Sequence, residues 1–252
     1  MTGSDRRPPL PVRAWLAWRQ GVLIETILRR LPPRVAAFVD RFRADARDPL
    51  GGPMNGQVGR RAMIESLFAA VPFGAVVETG TFRGSTTAYF ASLTSAPVFT
   101  IEVQPRFHAY SRWRLRGRRT IRLLLGDSAE WVDRLGRNGG VREPVFFYLD
   151  AHWEERIPLR DELRAAQQHW RDWVILVDDF EVPDDPGYGF DDYGEGKRLN
   201  LEHIEAVIGE RAVRYWPSVR SADEAGSRKG CLVLVSESLA ATVDQLHTLR
   251  RG

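Results

Sequence analysis

Val76-Val77-Glu78-Thr79-Gly80-Thr81-Phe82-Arg83-Gly84-Ser85-Thr86-Thr87 is the stretch whose reading decides the fold. Ala75, Val76 and Val77 form a short apolar run, as a strand buried on both faces of a parallel sheet does. A glycine-bearing turn follows, and Ser85 to Leu93 then reads as a helix whose first turn carries hydroxyls. Strand, glycine turn and helix N-terminus open a nucleotide-cradling βα unit. The glycine spacing narrows the ligand. A dinucleotide fingerprint needs a second glycine two residues after the first, where backbone approaches a pyrophosphate. Phe82 occupies that place, and its ring would obstruct a diphosphate. What is left is Glu-x-Gly-x-x-x-Gly, with an acid at the strand's end.

Further strands follow at intervals. Val98 to Ile101 ends at Glu102, an acid 22 positions after Gly80. A carboxylate there suits a ribose diol, because it accepts from both hydroxyls at once. Ile121 to Leu125 is closed by Gly126-Asp127-Ser128, with Ser128 expected to cap the next helix. Val145 to Leu149 is fully apolar and ends in Asp150-Ala151-His152-Trp153. Pro158 opens a helix with Leu159, Leu163, Ala166, Trp170 and Trp173 on one core-facing stripe. Val174 to Val177 ends in Asp178-Asp179-Phe180. Asn200 is placed to cap another helix, and Ala212 to Trp216 and Cys231 to Val235 read as two late strands. A last helix is expected from Ser238 to Leu249.

The glycine motif resembles motif I of the class I S-adenosylmethionine (AdoMet) methyltransferases. The resemblance covers about residues 54–252 and implies a Rossmann-like α/β sandwich: a mostly parallel seven-stranded sheet with a late antiparallel strand. It implies that backbone at Gly80, Thr81, Gly84 and Ser85 runs beside the methionine part of AdoMet, and that Glu78 holds its polar end. Glu102 takes the ribose role, and Asp127 with Ser128 the adenine role. Residues 1–53 lie outside the resemblance, as a tail and accessory helices.

Ligands of such sheets bind at the carboxyl ends of the strands. Strands one, four and five are neighbours in this fold, so Asp150, Asp178 and Asp179 should converge beside the methyl donor. Three carboxylates in one cleft repel unless a cation compensates, and oxygen ligands point to Mg²⁺. This arrangement is similar to the metal-dependent macrocin and novobiocin sugar O-methyltransferases. The resemblance implies Asp150, Asp178 and Asp179 as metal ligands, Asp150 and His152 as the catalytic pair, and a hydroxylated small molecule or glycan as acceptor. His152 stands where that family has a second polar residue as base; the alternative is a structural histidine. Asp178-Asp179 alone could equally cap a turn.

Elsewhere the chain is less specific. Asn55 and Gln57 could bind a ligand or cap the helix that follows. Arg106 to Arg122 reads as a solvated helix face, with a nucleic-acid methyltransferase as the alternative it would support. A non-catalytic AdoMet-binding scaffold is the third reading. Residues 181–196 combine aspartates, aromatics and glycines, as a lid or a surface loop would. Residues 13–30 and 34–46 read as helices that pack on the main domain or a partner subunit rather than on lipid, so a homo-oligomer through them is expected.

Bulk properties set bounds. The 252 residues allow one large α/β core, and 43% hydrophobic with 27% charged content is ordinary for a globular chain. Thirty-six basic against 33 acidic residues give a net charge of only +3, which does not call for nucleic acid. The single cysteine, Cys231, rules out an intramolecular disulfide and fits a reducing cytoplasm. No apolar run reaches the roughly 18 residues of a membrane span.

Overall fold

The computed structural model describes residues 23–43, 46, 51–152 and 156–252. Five short strands, β1 (Ala75–Thr79), β2 (Val98–Glu102), β3 (Ile121–Leu125), β4 (Val145–Leu149) and β5 (Trp173–Asp178), run parallel in the order β3-β2-β1-β4-β5. β6 (Ala212–Pro217) and β7 (Cys231–Ser236) continue the sheet, with β7 antiparallel between β5 and β6. The strand order reverses at β1 and β4, where the carboxyl ends of the strands open a crevice.

Period-two alternation sorts the side chains between two cores. Val77, Phe147, Ile175 and Leu234 stand in register across four strands and feed one. Val76, Phe146, Val174 and Val235 stand beside them and feed the other. The first core is covered by α5 (Ser128–Arg137), α6 (Leu159–His169) and α7 (Leu201–Ile204), through Val132, Leu159, Leu163 and Ile204. The second is covered by α2 (Val58–Ala70), α3 (Ser85–Leu93) and α8 (Glu237–Val243), through Met63, Leu67, Phe90 and Val243. Glu162 is fully buried inside α6, and desolvation pushes its carboxyl up to about 7.

Several boundaries differ from the sequence reading. The sheet has eight strands rather than seven, because Leu249–Arg251 forms β8 along the free edge of β6. The last helix therefore stops at Val243. A three-residue strand carries too little alternation to show in sequence, and the exposed β6 edge supplies its partners. α6 ends at His169, so Trp170 follows the helix and Trp173 opens β5; both still join the first core. Asp127, not Ser128, caps α5, accepting from Glu130 N at 3.0 Å. Asn200 does cap α7, accepting from His203 N at 3.0 Å.

Of the N-terminal segment, residues 23–28 are helical and α1 (Pro33–Asp40) follows. Trp15, Trp18 and the Asp48-Pro49-Leu50 part of the expected linker lie outside the described residues. α1 packs on α4 (Pro105–Arg114), where Tyr110 donates to Ala46 O at 3.0 Å. Fully buried Asp40 accepts from Arg106 Nε at 2.8 Å and Nη2 at 2.9 Å. Glu25 accepts from Arg43 and Arg106, each at 2.7 Å, and reaches Arg83 in the glycine turn at 3.3 Å. Burial would raise the Glu25 carboxyl, but these guanidiniums outweigh it and hold it down at about 2. Arg106 is therefore not part of a solvated basic face; it anchors α4 to the N-terminal helices. Asp40→Asn weakens a buried charged acceptor while Glu25 still faces the same arginines, so a loss of about 1–3 kcal/mol is expected by urea denaturation.

Candidate active site

The glycine turn follows β1 directly. Gly80 has φ +83°, and a Cβ there would overlap the Asp150 carbonyl. The turn thus lies against the end of β4, where Asp150 N donates to Thr79 O at 3.2 Å. Gly84, at φ +75°, begins α3, and Ser85 is its first residue. Thr81 is turned inward: its hydroxyl meets Thr100 Oγ1 at 2.6 Å and its N–H donates to Ile101 O at 3.1 Å. Among the turn's residues it offers a ligand the least.

Two acids of the crevice are buried. Glu78 accepts from Thr87 and, at 2.6 Å, from Thr100 through one oxygen; the other oxygen has no partner. Desolvation pushes its carboxyl up to about 7. Glu102 accepts from Phe82 N and Gln104 N, both at 2.7 Å, and desolvation again raises it to about 7. Each Glu102 oxygen keeps a lone pair, so a diol can still be accepted. Asp127 spends one oxygen on its cap and pairs the other with Arg156 at 2.7 Å, and Ser128 is buried beside it.

The three aspartates separate into two groups. Asp178 is buried and paired with Arg60 of α2 and with the Tyr148 hydroxyl, and it also accepts from Asp179 N at 2.9 Å. Burial alone would raise its carboxyl; Arg60 outweighs that and holds it low. Asp178 is therefore not one of the converging ligands expected from sequence. In its place His152 joins Asp150 and Asp179, and donor atoms of these three lie within 4.8 Å of one another. His152 Nε2 lies 3.8 Å from Asp150 Oδ1, and neither ring nitrogen has a hydrogen-bond partner. Asp179 Oδ1 is likewise buried and unpartnered. One imidazole nitrogen, the orphaned Asp179 Oδ1 and an Asp150 oxygen make a donor set that a cation could take.

The electrostatics agree. Desolvation, then the charges of Asp178 and Asp179, push the Asp150 carboxyl well above its ordinary value, although 38% of its side chain still meets solvent. Desolvation and Asp178 raise Asp179 to about 7. Burial drives the His152 imidazole down to about 4, so it is neutral at physiological pH. Lys229, from the loop before β7, stands 3.6 Å from Asp179 Oδ2 and pairs with Asp191.

Residues 181–196 are largely pinned. Tyr188 is buried and donates to Val219 O at 2.9 Å, so its ring is not free for a ligand. Asp191 N donates to Asp179 O at 2.9 Å, and Tyr193 donates to Asp191 and to His152 O at 3.3 Å. Gln57 is also structural, donating to Lys229 O at 2.8 Å without capping α2.

Neither the protein-family models nor the curated proteins include a match to this chain. Solved structures do match. The O-methyltransferase TomG from Streptomyces achromogenes, involved in tomaymycin synthesis and in complex with SAM, is 16% identical with a TM-score of 0.51, over 70% of this chain and 79% of its own. An O-methyltransferase from Bacillus cereus in complex with SAH is 15% identical with a TM-score of 0.52, over 84% of this chain and 90% of its own. The fold is that of the class I methyltransferases. In this methyltransferase fold β8 lies at the far edge of the sheet, away from the crevice.

The sequence reading missed two of the methyltransferase-fold crevice residues, Arg60 and Lys229, and took Asp191 only as one of the aspartates of the 181–196 loop. Arg60 is the only charged residue among those buried on α2, and an arginine on an otherwise apolar helix face is the signal that could have drawn attention to it. Lys229 and Asp191 sit in loops with no periodicity to read. No described helix is long and apolar enough to cross a membrane.

Proposed function

We propose that this chain is an AdoMet-dependent O-methyltransferase acting on a hydroxylated small molecule or glycan, assisted by a divalent cation. The observation that carries the reading is the meeting of Asp150, His152 and Asp179 beside the Gly80 turn. Backbone at Gly80, Gly84 and Ser85 would lie along the methionine part of AdoMet, and the unpartnered Glu78 oxygen would accept from its ammonium. Glu102 would accept from the ribose hydroxyls. Of the expected adenine contacts, Asp127 retains lone pairs beyond its cap and its Arg156 pair.

Asp150, His152 and Asp179 would hold the cation, which when bound lowers the pKa of an acceptor hydroxyl. Two carboxylates suit Mg²⁺; the imidazole in the donor set moves the preference towards Mn²⁺. His152, neutral and weakly basic, serves better as a donor than as the proton acceptor. Asp150 is partly exposed and would take the hydroxyl proton once a bound cation favours its ionised form. The acceptor oxygen then forms a bond to the methyl carbon as the carbon–sulfur bond breaks, and S-adenosylhomocysteine leaves. The donor is already activated, so alignment is the chain's main contribution. A metal-free version has its own support: Lys229 already supplies a positive charge 3.6 Å from Asp179.

Transfer of labelled methyl from AdoMet to a panel of glycosides and phenols tests the reading. Activity lost to EDTA and restored by Mg²⁺ or Mn²⁺ supports the cation. Full activity after chelation assigns charge compensation to Lys229. No transfer to any hydroxylated acceptor argues against O-methylation.

Glu102 gives a pH prediction. Its carboxyl is raised to about 7 in the free protein, whereas ribose hydroxyls favour the ionised form. AdoMet affinity should therefore rise about tenfold between roughly pH 6 and 8. The same shift works the other way on folding: Glu102's contribution to stability is full below about 4.5 and is lost as pH rises through about 7. Binding calorimetry across pH checks the first effect; Glu78, raised to about 7 as well, adds its own rise, so Glu102→Gln should make the profile shallower without abolishing it.

A further inference from the structure

Within the described residues 23–43 the two acids turn inward. Asp40 and Glu25 are spent on Arg43, Arg83 and Arg106, and among the described residues 23–43 every exposed charge is an arginine: Arg29, Arg30 and Arg34. The exposed remainder is mostly apolar. Phe42 is 77% exposed, Phe38 53% and Ile27 52%, with Leu23, Ile24 and Val35 also open. Phe38 and Phe42 touch edge to face at 5.2 Å. Arg41 lies over both Phe38, at 5.5 Å, and Trp113 of α4, at 5.2 Å. Arg116 lies over the same Trp113 ring at 5.4 Å. Arg41 thus joins the apolar face to residues 105–122, which contain no acid and expose Arg112, Arg116, Arg118, Arg119 and Arg122.

We propose that this face docks on an anionic lipid surface. Aromatic and aliphatic side chains rimmed by arginine are the make-up of a helix lying in a membrane interface, where apolar groups enter the acyl boundary and cations stay at the headgroups. The charge pattern selects this occupant over the two others the face could take. In a two-fold dimer the same patch meets itself, bringing its arginines against arginines, which disfavours the pair. A nucleic acid would satisfy the arginines but leave the exposed leucine, isoleucine and valine side chains without a partner. The expected packing on the domain is met by one side of these helices, where Leu28, Ala36 and Ala37 are buried; the Ile27, Phe38 and Phe42 side chains turn outward.

Flotation of the full chain with vesicles tests the proposal, independently of any methyl transfer. Wild type should float with phosphatidylcholine vesicles containing about one-third phosphatidylglycerol and not with phosphatidylcholine alone. Phe38→Ser/Phe42→Ser and Arg116→Glu/Arg119→Glu should each reduce bound protein about tenfold or more. Their melting temperatures should match wild type, since all four side chains are exposed. No flotation with anionic vesicles, or flotation unchanged in the phenylalanine variant, overturns the proposal. So does a single-stranded RNA that displaces the protein from vesicles and binds the phenylalanine variant as well as wild type. A dimer seen by sedimentation equilibrium and dissociated by Phe38→Ser/Phe42→Ser would reassign the face to self-association.

Discussion

Asp150→Asn is expected to lower methyl transfer by about 10²–10⁴-fold while AdoMet binding stays within about threefold of wild type. The substitution keeps size and shape. Asp150 N still donates to Thr79 O, so the end of β4 and the Gly80 turn against it are undisturbed. What goes is a charge that can take a proton and face a cation. The same change should not cost stability. Desolvation and the charges of Asp178 and Asp179 already disfavour an ionised Asp150 in the folded chain. A group whose folded pKa is raised contributes stability below its ordinary range and loses it as pH rises. A neutral asparagine removes that loss at neutral pH. The melting temperature should therefore equal or exceed that of wild type, as when an active-site charge is removed at the expense of function. Steady-state kinetics, AdoMet calorimetry and a thermal melt on one preparation check all three. Unchanged turnover would remove Asp150 from the chemistry.

Asp178→Ala should do the reverse, striking the fold first. It strips the carboxylate from Arg60, whose side chain is 1% exposed, and the acceptor from the Tyr148 hydroxyl. A buried guanidinium left without its counter-charge costs about 3–5 kcal/mol. For a chain of this size that lowers the melting temperature by roughly 10 °C. The double change Asp178→Leu/Arg60→Met removes both charges, and a large part of the stability should return. Urea denaturation of Asp178→Leu, Arg60→Met and the double closes the cycle. If Asp178→Ala melts like wild type and instead loses only metal-dependent activity, the aspartate is a ligand after all and the division of the three acids is wrong.

That division shows how far sequence could reach. The strand ends were legible because each parallel strand is a short, mostly apolar run closed by an acid or a glycine. The crevice order followed from topology, so Glu78, Glu102, Asp150 and Asp179 could be placed at one edge. Within the Asp178-Asp179 pair, however, β5 ends at Asp178 and the chain turns at Asp179, whose φ is +50°, so the two side chains meet different partners. Which one meets a partner depends on Arg60, 118 residues earlier, and on Tyr148 across the sheet. Such long-range pairing has no local periodicity. The same holds for Lys229, which is placed by a bridge to Gly189 forty residues earlier, and for β8, whose three residues acquire strand geometry only from the β6 edge. His152 was noticed as an imidazole near an acid, but its burial, which keeps it neutral, is a property of the packed loop and not of the dipeptide.

The central claim is that the crevice between the Gly80 turn and Asp150 is built for a sulfonium amino acid linked to adenosine. Calorimetric titration of the chain with AdoMet, and separately with NAD, tests it most directly. AdoMet is expected to bind at one site per chain, more weakly in Glu102→Ala, with no heat from NAD. NAD binding in preference to AdoMet, or no binding of either, would contradict it.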